Sequence, residues 1–422
     1  MNTLAIHGGE PSIKFSFKKF NTINEKEIDA VTKILKKGTL SAYIGAKGQD
    51  FMGGPSVQAL EKHAAEYFKV KHAIAVNSWT SGLIAAVGAI GLEPGDEVIT
   101  SPWTMSATAC AILHYNGIPV FADIEPNLYC LDPVKVKNKI TKRTKAILCV
   151  DIFGQSSDIF ELKKLCKEHN LKLICDTAQA PGAFNGNEYT GTLADIGGFS
   201  LNYHKHIHCG EGGILVTNDD ELAKRLCLIR NHAESVIDED EKNINNLVGF
   251  NFRMGEIEAA IASIQLEKLE GIVRQRQEAA QLLYEGLKNL KGLHLPELRK
   301  NCTHVYYVFG MYIDKTIIKH KVQIIVDALK AEGVPALMKG YQNIHLLPLF
   351  KNKIAFGNQH FPWNIHVEHE TLSYQQGLCP VAENLHQNTF FGILLCMFEF
   401  DKTEVNAIVK AFHKVWSNLE QL

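Results

Sequence analysis

Between residues 70 and 220, short apolar runs alternate with stretches whose apolar positions recur every three or four residues. The runs are AIAV (73–76), EVIT (97–100), PVFAD (119–123), AILCVD (146–151) and LKLICD (171–176). They are apolar almost throughout, which implies burial on both faces and therefore a mainly parallel sheet covered by helices. Among the intervening stretches, DIFELKKLCKEH (158–169) sets Ile159, Leu162, Leu165 and Cys166 along one helical face. The expected fold class is α/β, and a sheet of this kind presents its ligand-binding groups at the C-terminal ends of its strands.

After residue 253 the pattern changes. Ile257, Ile261, Ile264, Leu266 and Leu269 form a stripe that predicts one long helix over 254–291. Beyond it a strand-like run, VYYVFGMYI (305–313), mixes with helical patterns at QIIVDALKAEG (323–333) and at the closing segment 402–422. The chain of 422 residues exceeds what one core usually supports. The reading is therefore a large α/β domain over 14–253, a linking helix over 254–291 and a smaller α+β domain over 292–422, with part of segment 1–50 packing against the smaller one.

Composition narrows the classes. With 46% hydrophobic and 21% charged residues and a net charge of −2, the chain reads as an ordinary globular protein. Its dispersed basic residues offer no footprint for nucleic acid or anionic lipid. The ten cysteines form no CxxC pair and the opening MNTLAIHGGEPSIK lacks the apolar run of a signal peptide, which points to a reducing cytoplasm. Apolar runs fall well short of the roughly 20 residues needed to span a bilayer. The sequon at Asn301 carries little meaning without a secretory route.

Candidate chemistry gathers at strand ends. In GGFSLNYHKHIHCGEGGILVTND (197–219), Lys205 lies between a strand-like run and a glycine turn, ringed by apolar and aromatic residues. Such surroundings strip hydration from an ammonium and favour the nucleophilic amine, which forms Schiff bases, although a surface loop lysine fits the same segment. Asp176 ends the strand LKLICD, with Gln179 three residues on. A carboxylate there suits either a protonated pyridine nitrogen, an attraction of roughly 4 kcal/mol at an effective dielectric near 20, or a simple turn cap. AIAV runs into Asn77, Ser78, Trp79, Thr80 and Ser81 and then a helical run. Free amides at that helix start suit a phosphate, and the hydroxyls equally suit a plain cap. Ser200 adds a hydroxyl five residues before Lys205. One phosphate site, one pyridinium partner and one amine together describe pyridoxal 5'-phosphate, with the turn Gly210-Glu211-Gly212-Gly213 passing close beside it. His204, His206 and His208 would share a face in an extended segment, as metal ligands do, but no carboxylate cluster completes a site and no metal is assigned.

The order of NSWTSGL, GLEPGDEVITSPWT, TKAILCVDIFGQ, ICDTAQAPGA, FSLNYHK, GEGG and GFNFRMGEIEAAI resembles the pyridoxal-phosphate-dependent sugar aminotransferases of the DegT/DnrJ/StrS type. The likeness runs from LAIHGGEP (4–11) to CPVAENL (379–385). It implies a fold-type I transferase in which Lys205 forms the covalent link to the cofactor, Asp176 pairs with the ring nitrogen, Gln179 meets the ring hydroxyl and Ser200 binds the phosphate. Thr80 and Trp79 match the phosphate turn, and Asn251 matches an asparagine that reaches the phosphate of the neighbouring subunit. The resemblance thus implies a homodimer with shared active sites, glutamate as amino donor, pyridoxamine phosphate as intermediate and a keto-sugar nucleotide as acceptor.

Two positions depart from the family pattern. Trp79 stands where glycine is usual, so its side chain must find space. Where relatives set an aromatic ring over the cofactor, simple alignment gives Met105, with Trp103 two residues earlier as the other candidate; methionine sulfur packs well on an aromatic face. Some relatives carry histidine in place of the lysine and dehydrate keto-sugars. Lys205 favours transamination over that chemistry, while a cyclitol or aminobenzoate-type aminotransferase shares the opening GGEP and the CPVAE segment with this chain. A non-catalytic sensor would have no need of Lys205. Arg253 suits either a donor carboxylate or a structural role. The loops 38–55, 232–247 and 340–376 are expected to choose the substrate.

Overall fold

The computed structural model describes residues 3–238 and 244–422. Seven strands form the central sheet: β1 (His72–Val76), β2 (Glu97–Thr100), β3 (Ile118–Phe121), β4 (Thr144–Val150), β5 (Lys172–Asp176), β6 (Ile196–Ser200) and β7 (Gly213–Thr217). Their order is β1-β7-β6-β5-β4-β2-β3, parallel except where β7 runs against both β1 and β6. Each predicted run between 73 and 176 is a strand of this sheet, displaced by at most a few residues at its ends.

Burial on both faces explains why these runs lack alternation. In β5, Leu173 and Cys175 pack with Leu162 and Leu165 of the helix Ile159–His169, while Ile174 packs on the opposite face. Asp158 caps that helix through the Glu161 amide. The opposite face is covered by α1 (Trp79–Ala89), a helix that is apolar nearly all round because α2 (Ser106–Leu113) and the helix Asp220–Arg230 enclose it.

The long helix, α3 (Glu256–Leu287), serves two cores. Ala259, Ala262, Leu266, Leu269 and Val273 pack in the large unit, whereas Ala279, Ala280, Leu283 and Leu287 pack in the C-terminal one. The second unit is an antiparallel sheet of β8 (Leu293–His294), β9 (Val308–Ile313), β10 (Leu337–Lys339) and β11 (Phe390–Leu394), in the order β8-β9-β11-β10. Helices Val322–Ala331 and Lys402–Trp416 back it, and Leu4 and Ile13 of the N-terminal segment lie in the same core. Glu332 fastens that segment by accepting from Ala5 N at 2.8 Å and Ser12 N at 2.9 Å.

One expected strand is shorter than its pattern. Regular pairing begins at Val308, because Val305 N donates to Gly154 O at 2.8 Å and Tyr306 adopts φ 50°. Residues 305–307 are bent over the loop that carries Lys205, and apolar content alone does not register that bend. Among the described residues, no helix is long and apolar enough to cross a membrane.

Candidate active site

The sheet delivers its groups to one end. Asp176 is the last residue of β5 and pairs in register with Val150 of β4 and Gly198 of β6. Ser200 closes β6 opposite Gly213, which is itself opposite Val76 at the end of β1. Three strand ends and the start of α1 therefore meet around a cavity of about 250 Å³. Ser78, Trp79, Thr80, Met105, Asp176, Gln179, Ser200 and Lys205 all line it.

Lys205 sits on a clipped loop. Leu201 N donates to Gly212 O at 2.9 Å and Cys209 N to Leu201 O at 3.1 Å, while Ile207 and Cys209 are buried in the core beneath. His206 Nε2 donates to Val305 O at 2.8 Å, pinning the loop to the C-terminal unit. Burial holds Lys205 down at about 8, with the Asp176 carboxylate pulling the other way. Its Nζ lies 4.5 Å from the centroid of the Tyr307 ring.

This loop turns instead of extending, so the alternation does not set the three histidines along one face of a strand. His206 is fully buried and kept neutral by that burial, at about 3. His204 borders the cavity, lowered to about 4 by burial and by the Lys205 charge. Among the described residues, no cluster of three or more histidine, cysteine or acidic side chains is arranged to hold a metal.

Asp176 is buried, which raises its affinity for a proton, and three donors oppose that rise. Trp79 Nε1 donates to Oδ1 at 2.7 Å, Thr108 Oγ1 to Oδ2 at 2.8 Å and Ala178 N to Oδ1 at 3.2 Å. Trp79 thus finds its space beneath the cavity, with its indole against Asp176. A Cβ on Gly82 would come within 2.9 Å of that indole, and one on Gly213 within 2.9 Å of the Trp79 backbone. The glycine turn was expected to give room to a cofactor, yet Gly213 gives room to the start of α1.

At the other end of the cavity, Ser78 caps α1 by accepting from Ser81 N at 3.1 Å, and Thr80 lies in the first turn. Ser200 lines the same cavity, and a helix start with hydroxyls beside it suits a phosphate. Gln179 accepts from Phe153 N at 2.9 Å and donates to Tyr341 Oη at 3.1 Å, leaving one N–H of its amide. Met105 is 59% exposed and borders the cavity. Trp103 is fully buried, edge-on to Phe390 at 5.4 Å, so of the two candidates Met105 is the one brought to the cavity. Asn251 is exposed and outside its own chain's cavity, and Arg253 donates to Asn231 Oδ1 at 2.9 Å. Residues 239–243 of the loop 232–247 lie outside the described residues.

Thr108, Tyr307 and Tyr341 escaped the sequence reading. Thr108 lies on a helix with no polar stripe, and the two tyrosines arrive from the C-terminal unit, more than a hundred residues from Lys205.

A buried carboxylate, a desolvated amine and a helix start around one small cavity fit pyridoxal phosphate, as the fold-type I class that uses it requires. The sequence model of the DegT/DnrJ/EryC1/StrS aminotransferase family matches residues 21–389. The chain belongs to that family of pyridoxal-phosphate-dependent aminotransferases. It is 34% identical to the GDP-perosamine synthase of Caulobacter vibrioides over 70% of this chain and 78% of that protein. Against the dTDP-3-amino-3,6-dideoxy-alpha-D-galactopyranose transaminase of Aneurinibacillus thermoaerophilus, identity is 32% over 87% of this chain and 90% of the relative. The aminotransferase from Psychrobacter cryohalolentis superposes with a TM-score of 0.82 at 25% identity, covering 96% of this chain and all of that one.

Proposed function

We propose that this chain transfers an amino group from glutamate to the keto carbon of a nucleotide-linked sugar. The observation that carries the proposal is the meeting of Lys205, Asp176 and the start of α1 around one cavity. Relatives named for perosamine synthesis and for a dTDP-amino-sugar transaminase favour a sugar acceptor over a cyclitol or an aminobenzoate precursor.

Each residue then has a task. Pyridoxal phosphate, when bound, supplies an electron sink for charge developing on the substrate carbon that bears nitrogen. Asp176 holds the ring nitrogen protonated and Ser200, Thr80 and the first-turn amides of α1 hold the phosphate. Gln179 offers its free N–H to the ring hydroxyl, and Met105 covers a ring face. Lys205, about half of it neutral amine near pH 8, moves the proton at the substrate carbon. Tyr307 and Tyr341 close the C-terminal side and limit water.

The working form in this reading is a cytoplasmic homodimer, with Asn251 of each subunit reaching the phosphate in the other. Exposure of Asn251, which lies outside the cavity of its own chain, supports its reaching a second subunit.

Amino transfer is tested with glutamate carrying isotopic nitrogen and a panel of keto-sugar nucleotides and keto-inositols. Label should enter a nucleotide sugar, and Lys205→Ala should lower turnover by about a thousandfold or more. Label in an inositol, or loss of water without label, would replace this function by another.

A further inference from the structure

The contact between Trp79 and Asp176 does more than seat an indole. A carboxylate offers about four lone-pair directions on its two oxygens. Oδ1 accepts from Trp79 Nε1 at 2.7 Å and from Ala178 N at 3.2 Å, and Oδ2 accepts from Thr108 Oγ1 at 2.8 Å. Three directions are taken, and the one that remains belongs to Oδ2. The indole is held firmly in this pose: Trp79 is buried, Gly82 leaves it room one turn along α1, and a Cβ on Gly198 would approach its ring at 2.3 Å.

We propose that Trp79 is a positioning residue for the cofactor ring, saturating Oδ1 so that Asp176 presents Oδ2 as its one acceptor and stays the weaker base of the pair it forms. The inference rests on the reading that the pyridine nitrogen lies at Asp176. A proton shared between a ring nitrogen and a carboxylate resides mainly on the stronger base. Burial strengthens the carboxylate as a base, and donation by Trp79 is the first of the effects that weaken it, followed by Thr108, Ala178 and the charge of Lys205. With the indole donor gone, the proton moves toward Asp176 and the ring loses part of its positive charge. The tryptophan that fills the glycine position of the phosphate turn thereby acts at the opposite end of the ring, through the carboxylate.

Two variants test this. Trp79→Phe keeps an aromatic ring without the donor, and benzothienylalanine at position 79 keeps the bicyclic shape with sulfur in place of N–H. Each is stripped of cofactor and titrated with pyridoxal phosphate, and the visible absorption of the reloaded protein is followed against pH. Affinity should fall about tenfold, the loss expected for one charge-assisted hydrogen bond, and the midpoint of the visible band should rise by about one unit as the ring withdraws less charge. If Trp79→Phe fails to fold, the benzothienyl protein gives the result. Unchanged affinity and midpoint overturn the inference, as does a protein that is less stable yet titrates like the wild type. A wild-type protein that shows no visible band with pyridoxal phosphate overturns the placement of the cofactor, and the inference with it.

Discussion

The amine of Lys205 faces the ring of Tyr307 at 4.5 Å, so a side chain from the C-terminal unit covers a buried amine of the large one. Burial is the largest cause of the lysine's fall from 10.5 to about 8. The attraction of a cation to a tyrosine face, roughly 0.5–2 kcal/mol, acts in the opposite sense. A shift of that size corresponds to about 3 kcal/mol, so burial wins.

In the role proposed for Lys205 the neutral amine moves the proton, and activity should therefore rise with pH on a limb centred near 8. Tyr307→Ala admits water, relieves the larger effect and should move that limb upward, toward the ordinary lysine range. Tyr307→Phe keeps the covering face and should leave it in place. Profiles of single-turnover rate against pH check both, and a limb that stays near 8 in Tyr307→Ala would show that other groups desolvate the amine.

Cofactor-free protein should carry this burial as a stability cost. The folded pKa of Lys205 lies below the unfolded one, so below pH 8 the fold bears a buried charge, and the cost fades between 8 and 10.5. Lys205→Met should stabilise the cofactor-free form at pH 7 by up to about 3 kcal/mol. That gain should shrink as the pH approaches 10.5. Urea unfolding at pH 7 and pH 10 measures the difference.

Met105 and Trp103 separate function from packing. Met105→Ala removes an exposed sulfur at the cavity rim and should weaken cofactor binding a few-fold, in line with roughly 0.3–1.5 kcal/mol for a sulfur–ring contact, with little change in stability. Trp103→Ala empties a fully buried site beside Phe390 and should cost about 3–5 kcal/mol of stability. Cofactor titration and chemical unfolding of both variants give the two-way comparison.

Strands and the lysine loop were legible because their signals are local. Leu173, Ile174 and Cys175 are apolar in succession because both faces of β5 are covered, and Asp176 follows where the strand leaves the core. The side-chain role of Trp79 was not legible, since the residue it reaches is 97 positions away and the glycines around it are scattered over α1, β6 and β7. Tyr307 fell inside an apolar run that reads as strand, while the bend that turns it over Lys205 depends on Val305 bonding to Gly154 and His206. Alternating histidines suggested a shared face only because an extended backbone was assumed.

A buried ion pair anchors the edge strand that feeds α1. Glu61, on the helix Pro55–Phe68, pairs with Arg230, whose side chain is fully buried at the end of the helix Asp220–Arg230. Both partners also grip Ala75 of β1: Glu61 accepts from its N–H at 2.9 Å and Arg230 donates to its carbonyl at 3.1 Å. The Arg230 guanidinium lies over the Tyr43 ring at 5.1 Å, which ties the loop 38–55 to the same point. Arg230→Met leaves a carboxylate buried without its partner and should cost about 3–5 kcal/mol. Joining Glu61→Leu to it removes the stranded charge, so the double variant should be more stable than Arg230→Met alone, though still short of the wild type because the Ala75 bonds are lost. Unfolding free energies of the two single variants and the double variant close the cycle, and additive losses would mean that the pair acts as two independent caps on β1.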